Sequence, residues 1–149
     1  MVTGATGMLG SEVVKQLMSA NGEREEEGMI VKAAARSAND NTFRNLGIQV
    51  VQIDYNKPDT LSAAVRGVDK LFLLTPFQCN MVDLTSNLVN EAKKAGVKYI
   101  VKQSLIGADA QPGITPSRLH RQAEKIIEES GIPFTFLRPN FFMQNFFTA

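Results

Sequence analysis

The sequence predicts a doubly wound α/β fold: one parallel sheet of six strands in the order 3-2-1-4-5-6, with helices on both faces. Short apolar runs alternate with stretches of helical periodicity along the whole chain. A glycine-rich turn, Gly4-Ala5-Thr6-Gly7-Met8-Leu9-Gly10, joins the first apolar run to the first helical pattern. Each later run ends in polar or turn residues before the next helix begins. Alternation of this kind requires right-handed crossovers, which place helices on both sides of the sheet.

The glycine turn has the spacing G-x-x-G-x-x-G. Gly4 permits the tight turn out of a strand, Gly7 lets backbone approach a diphosphate, and Gly10 lets the following helix lie close on the strand. The start of that helix offers free N–H groups and the positive end of its macrodipole to phosphate charge. An ordinary glycine-rich turn is the alternative reading. The strand before it, the helix after it and the βα units downstream favour a dinucleotide site over residues 4–10, with Thr6, Met8 and Leu9 among the binding positions.

The elements follow in order. Only Met1, Val2 and Thr3 precede Gly4, so the first strand is short, and the expectation is a fragment or a mis-set start; a natural short protein is the alternative. Leu9, Val13 and Leu17, with Val14 and Met18 beside them, give the first helix one apolar stripe, which stops near Ala20. Asn21-Gly22 breaks it, and residues 23–28 read as an acidic surface insertion. Residues 29–35 form the second strand, and 39–46 a short helix with Phe43 and Leu46 inward and Gly47 as its stop. The third strand is 48–53. Pro58-Asp59 opens a helix burying Leu61, Ala64 and Val65 and ending at Gly67. The fourth strand is 68–74. Residues 83–95 form a helix with Leu84, Leu88 and Ala92 inward, and 97–103 the fifth strand. After a loop at 107–113, Thr115-Pro116-Ser117 starts a helix whose inward stripe is Leu119, Ala123, Ile126 and Ile127, ending at Gly131. The sixth strand is 132–137.

The totals exclude several classes. The chain has 149 residues, 44% hydrophobic and 21% charged, with a net charge of +1, which is one globular domain without a nucleic-acid or membrane footprint. One cysteine, Cys79, and one histidine, His120, make neither a disulfide nor a zinc ligand set. No signal peptide or transmembrane run is visible, so a cytoplasmic protein is expected. A small-molecule substrate or a regulated protein partner fits; the oligomeric state is left open.

In a sheet of this kind the ligand sits beyond the carboxyl ends of the strands, at the switch between the first and fourth. The residues to read are therefore Gly4 to Gly10, Arg36-Ser37, Asp54-Tyr55, Thr75-Pro76-Phe77, Ser104 and Pro139-Asn140. Where NAD is bound, a carboxylate at the end of the second strand holds the ribose hydroxyls. Here Arg36 stands there, and a guanidinium pairs bidentately with a 2′-phosphate, so NADP(H) is expected over NAD(H). Asp54 is placed to accept from the adenine amino group or to serve its own turn, with Tyr55 beside the ring. Thr75 and Pro76 line the middle of the cofactor. Phe77 packs near the nicotinamide or caps the core.

Residues 3–10, Thr-Gly-Ala-Thr-Gly-Met-Leu-Gly, resemble the T-G-A-T-G-x-x-G opening of the extended and atypical short-chain dehydrogenases. Residues 130–145 resemble the S-G-[IL]-P-x-T-x-L-R-P-x-x-F-M-x-N block of the NmrA-like group. The resemblance implies a Rossmann domain over 1–149 followed by a smaller C-terminal substrate domain, which is missing or truncated, with 141–149 as its beginning. It implies either an oxidoreductase reducing quinones, dyes or phenylpropanoids with NADPH, or a redox sensor that binds the dinucleotide without catalysis. The short-chain dehydrogenase pair Tyr-x-x-x-Lys falls on Pro116 and His120. Pro116 has no proton to give. His120 remains as proton donor or ribose ligand, with Glu124 one turn on to orient it; a surface pair is the alternative. Ser104 falls at the family's catalytic serine. The reading is an NADPH-dependent oxidoreductase acting on a quinone or similar small electrophile, or a non-catalytic sensor. The phenylalanines of 141–147 would expose an apolar patch at a free terminus.

Overall fold

The computed structural model describes residues 1–22, 29–37, 43, 46–140 and 142–143. Five strands and four helices alternate among them: α1 (Met8–Gly22), β1 (Lys32–Ala35), β2 (Gln49–Gln52), α2 (Pro58–Val65), β3 (Lys70–Leu73), α3 (Met81–Lys94), β4 (Tyr99–Gln103), α4 (Thr115–Ser130) and β5 (Phe134–Leu137). The acidic run 23–28 and most of the short helix expected at 39–46 lie outside the described residues.

All pairing is parallel. β1 pairs β2 from Lys32↔Gln49 to Ala35↔Gln52. β3 pairs β4, and β4 pairs β5. These are the second to sixth strands expected from the sequence, each starting later than expected, with β2 and β3 also ending one residue earlier. Met29 and Ile30 precede the ladder and are exposed, because the partner of β1 begins only at Gln49.

The expected first strand is reduced to two isolated parallel bridges, from Val2 to Ala33 and from Val2 to Phe72. The Val2 amide donates to Lys32 O at 2.9 Å, and Val2 O accepts from the Ala34 amide at 2.8 Å. On the other side, Thr3 N donates to Phe72 O at 3.0 Å and Phe72 N to Met1 O at 2.8 Å. The backbone turns at Gly4, whose φ of 59° is the left-handed region that favours glycine, and past the turn one further bond to β1 forms, from the Ala5 amide to Ala34 O at 3.2 Å.

Successive strand residues alternate between two cores, as the two-residue period of a strand demands. Ala34, Leu71, Leu73 and Ile100 pack with Leu61, Val65, Leu88 and Ile127 under α2, α3 and α4. Val2, Ala33 and Phe72 turn the other way, toward Val14, Val13, Leu17 and Met18 of α1 and toward Phe43. Phe43 is buried as expected, but Leu46 is 55% exposed rather than inward.

Helix starts follow local rules. Pro58 opens α2, and Pro116 sits in the first two positions of α4, where a missing N–H leaves no bond unmade. Gly131 ends α4 in a left-handed cap. The inward face of α4 differs from the expected stripe. Ser117, Ala123, Glu124 and Ile127 are buried, while Leu119 and Ile126 are half-covered. The face is rotated toward Glu124 because that carboxylate finds charged partners inside.

Candidate functional site

The glycine turn is held against β3 by one side chain. Thr3 Oγ1 donates to Leu74 O at 2.9 Å and accepts from the Leu74 amide at 2.7 Å. It thereby extends the pairing one step beyond the last backbone bond. Tyr55 adds to the same point: its hydroxyl donates to Leu74 O at 3.1 Å, and burial pushes its pKa up to about 12.

The three glycines have different neighbours. A Cβ on Gly10 would stand 2.1 Å from Gly4 O, 2.7 Å from Gly4 C and 2.9 Å from Ala5 Cα. Gly10 therefore lets α1 sit on its own preceding turn, more than on a strand. A Cβ on Gly4 would meet Leu74 Cβ at 3.2 Å, and one on Gly7 only Gly4 O at 3.2 Å. Gly7 lines the space above the turn, where the first turn of α1 carries no acidic residue.

A cleft of about 530 Å3 opens there, at the carboxyl ends of β1, β2 and β3. Gly4, Thr6, Gly7, Leu9, Gly10, Arg36, Asp54, Tyr55, Thr75 and Pro76 line it, together with Ala34, Ala35, Ile53, Asn56, Leu74, Gln78 and Leu84. Arg36 is exposed, and no carboxylate among the described residues pairs with its guanidinium. Asp54 serves its own turn: Oδ1 accepts from the Asn56 amide at 3.0 Å, and Lys57 lies 3.7 Å from Oδ2. Met8 and Ser37 line neither cleft.

A second cleft of about 440 Å3 is lined by Phe77, Gln103, Ser104, Leu105, Pro116, His120, Pro139, Asn140 and Phe142. It shares Leu9, Leu74 and Thr75 with the first, so the two are continuous. Its walls are mostly apolar. The rings of Phe77 and His120 are nearly parallel, with centroids 6.5 Å apart and planes 11° from parallel. Phe142 and Met143, the described part of the phenylalanine-rich tail, are exposed.

The polar machinery around this cleft differs from the expected pair. Glu124 is fully buried and does not orient His120. Its Oε1 accepts from Ser104 Oγ at 2.7 Å and from Arg138 Nε at 2.8 Å, and its Oε2 accepts from Arg138 Nη2 at 2.7 Å and Arg121 Nη1 at 3.1 Å. Burial raises its pKa, but the bonds from Arg138, Ser104 and Arg121 outweigh this and hold it below the ordinary carboxylate value. Arg138 in turn reaches Asp109 at 2.8 Å. Because its O–H donates to Glu124, the Ser104 hydroxyl has only lone pairs to offer a ligand.

His120 Nδ1 is buried and makes no hydrogen bond among the described residues. Its pKa is lowered to about 4, first by burial and then by the charge of Lys102, against a smaller pull from Glu124. Lys102, inside β4, is 0% exposed; its Nζ donates to Gln103 O at 2.6 Å, and burial lowers its pKa to about 8. Sequence reading missed Lys102. The signal was one charged residue on the inward phase of an apolar strand. The Arg138–Glu124–Ser104 cluster was missed because it joins three separate elements.

Among the described residues no group of His, Cys, Asp and Glu is placed to hold a metal ion, and no helix is long and apolar enough to cross a membrane. Parallel strands, a glycine turn feeding a helix, and a cleft at the strand ends define a Rossmann-like NAD(P)-binding fold. The family model of the NmrA-like family matches residues 1–149, and the chain belongs to that family. It is 38% identical over 146 residues to the NAD(P)H azoreductase of Xenophilus azovorans, covering 97% of this chain and 49% of that protein. The NADPH-dependent quinone oxidoreductase of Escherichia coli, solved with NADPH, superposes with a TM-score of 0.87 at 34% identity, covering 99% of this chain and 50% of that one. The Citrobacter triphenylmethane reductase complexed with NADP(H) gives 0.85 at 31% identity, over 97% of this chain and 50% of that one. The chain thus spans about half the length of the relatives it matches.

Proposed function

We propose that this chain holds NADP(H) in the first cleft and belongs to an NAD(P)H-dependent oxidoreductase acting on a quinone or similar small electrophile in the second. The observation that carries the reading is the continuity of the two clefts at Leu9, Leu74 and Thr75, with Arg36 at one end and His120 at the other. The bare Gly7 and the uncharged first turn of α1 suit a diphosphate, and Arg36, which pairs with no carboxylate among the described residues, suits a 2′-phosphate. Thr75 and Pro76 would flank the middle of the cofactor. When bound, its nicotinamide supplies the hydride. The chain's part is to hold both partners, exclude water with Phe77, Pro116 and Pro139, and present His120 and Ser104 to the acceptor. The relatives named above, which act on azo compounds, quinones and triphenylmethane dyes by their names, support this class.

The same reading takes residues 1–3 as the central strand of a sheet in the order 3-2-1-4-5-6, residues 141–149 as the lead into a substrate domain, and the cytoplasm as the location. A non-catalytic sensor with a protein partner is the second reading. Pro116 favours it, since it stands where short-chain dehydrogenases carry their proton-donating Tyr.

Titration with NADPH and NADH tests the cofactor. NADPH should bind more tightly, and Arg36→Glu should weaken it by about 10- to 100-fold while leaving NADH little changed. Tighter NADH binding by the unaltered chain would overturn the 2′-phosphate assignment. NADPH oxidation with a quinone panel, measured on the longer protein, then separates enzyme from sensor: turnover with none of the acceptors would reject the enzyme.

A further inference from the structure

His120 lies against the second cleft with one nitrogen buried and without a hydrogen-bond partner among the described residues. An N–H at Nδ1 would be a buried donor without an acceptor, whereas a bare lone pair there forfeits less. Nε2 is therefore the nitrogen that carries the proton and is open to the cleft. The charged groups around the ring decide whether a second proton joins it. From β4 comes Lys102, a fully buried cation. From α4 comes Glu124, but its two oxygens already accept four bonds, from Ser104, Arg121 and twice from Arg138. From the loop after β3 comes Phe77, which has no charge. An imidazolium at this place would face a buried ammonium with its nearest carboxylate already claimed.

We propose that His120 meets the ligand as a neutral imidazole of one tautomer, bare at Nδ1 and protonated at Nε2, and that Lys102 is the positioning residue that keeps it so. The inference rests on the oxidoreductase reading for the identity of the ligand. It deepens that reading by fixing the chemistry of recognition: the second cleft takes an uncharged hydrogen-bond acceptor, a carbonyl oxygen or an sp2 nitrogen, toward which Nε2–H points. His120 polarises that atom by hydrogen bonding and gives up no proton to it. The Ser104 oxygen, its own O–H donating to Glu124, complements this by accepting from any N–H or O–H on the same ligand.

His120 is the single histidine of the chain, so its ring signals are unique in an NMR spectrum. Ring nitrogen shifts of the unaltered chain should show Nε2–H and a bare Nδ1 throughout pH 6 to 8, with a titration midpoint near 4. Lys102→Met should raise that midpoint by about half a unit or more, and Lys102→Arg should leave it low. The unaltered chain also carries its own control: discharge of Lys102 near pH 8 should move the His120 signals a second time. A midpoint near 6.5, the Nδ1–H tautomer, or no response of His120 to the loss or discharge of Lys102 would overturn the proposal. These readouts involve neither cofactor nor turnover. Their failure leaves the oxidoreductase reading standing, and failure to bind NADPH or reduce a quinone leaves them intact.

Discussion

Gly10→Ala separates the folding role of the glycine turn from its binding role. The new methyl carbon would lie 2.1, 2.7 and 2.9 Å from three backbone atoms of Gly4 and Ala5. No rotamer change relieves contacts with backbone, so either α1 withdraws or the turn opens. Overpacking of this kind costs about 1 to 3 kcal/mol in ordinary cores, and backbone on both sides of the clash puts this site at or above the upper end. Alanine's better helix propensity offsets less than about 1 kcal/mol. A net loss near 3 kcal/mol lowers the melting temperature by about 10 °C in a chain of this size. Gly7→Ala is the control. Its Cβ meets a single backbone atom, Gly4 O at 3.2 Å, a contact that a small shift relieves, so its melting temperature should fall much less than that of Gly10→Ala while NADPH binding falls sharply, because Gly7 lines the first cleft. Thermal unfolding followed by circular dichroism, without and with NADPH, reads both effects. The reasoning is refuted if Gly10→Ala melts within about 2 °C of the unaltered chain, or if Gly7→Ala is the more destabilising.

Three further outcomes follow from the same geometry. Thr3→Val leaves the Leu74 amide without its 2.7 Å acceptor and should lower stability by about 1 to 3 kcal/mol in urea denaturation, whereas a change under about 0.5 kcal/mol would show that the side chain does not brace the turn. Glu124→Ala leaves Arg138 and Arg121 with only Asp109 and Glu128 as partners and the Ser104 hydroxyl without its acceptor, and should remove about 1 to 3 kcal/mol, read as a shift of the denaturation midpoint. Acid should destabilise the chain in two steps. His120 stays neutral in the fold down to about pH 4 but charges near 6.5 when unfolded, so stability falls as pH drops from 6.5 to 4; the Glu124 contribution, present above the ordinary carboxylate value, is lost at still lower pH as that group protonates. His120→Phe should flatten the first step, and a pH profile unchanged in that variant would contradict it.

What was legible in the sequence had a local signature. Glycines at fixed spacing, a proline at a helix start, and Leu61, Ala64 and Val65 at helical intervals each state their own environment. Strand ends were legible too, because a run of apolar residues stops where the chain leaves the sheet, and this brought Arg36, Asp54 and Thr75 into consideration together. Partnerships set by distance in sequence were not. Glu124 looked like an orienter for His120 because the two are one helical turn apart, yet Arg138, 14 residues away, reaches it from beyond β5 with two bonds. Ser104 reaches it from the end of β4, 20 residues back. A strong pair from another element outcompetes a weak neighbour on the same helix. Lys102 was passed over for a related reason: alternation along β4 puts it in phase with Ile100, but only the packing of another element shows that this face is covered. Leu46 fails in the opposite direction, since its spacing from Phe43 suggested a shared face that the chain does not form.

Val2 has a mechanical consequence. Among the described residues the β1–β2 ladder and the β3–β4–β5 ladder are stitched through a short run, Met1 to Ala5, in which Val2 is bridged on both sides, to Ala33 and Phe72. The two half-sheets thus meet along a short seam, and the first cleft lies across it, with Arg36 on one bank and Thr75 on the other. A molecule spanning that cleft acts as a clasp. Amide exchange at Ala34 and Phe72 would time the opening of the seam, and the slowing of that exchange on filling the cleft would measure how firmly the clasp closes.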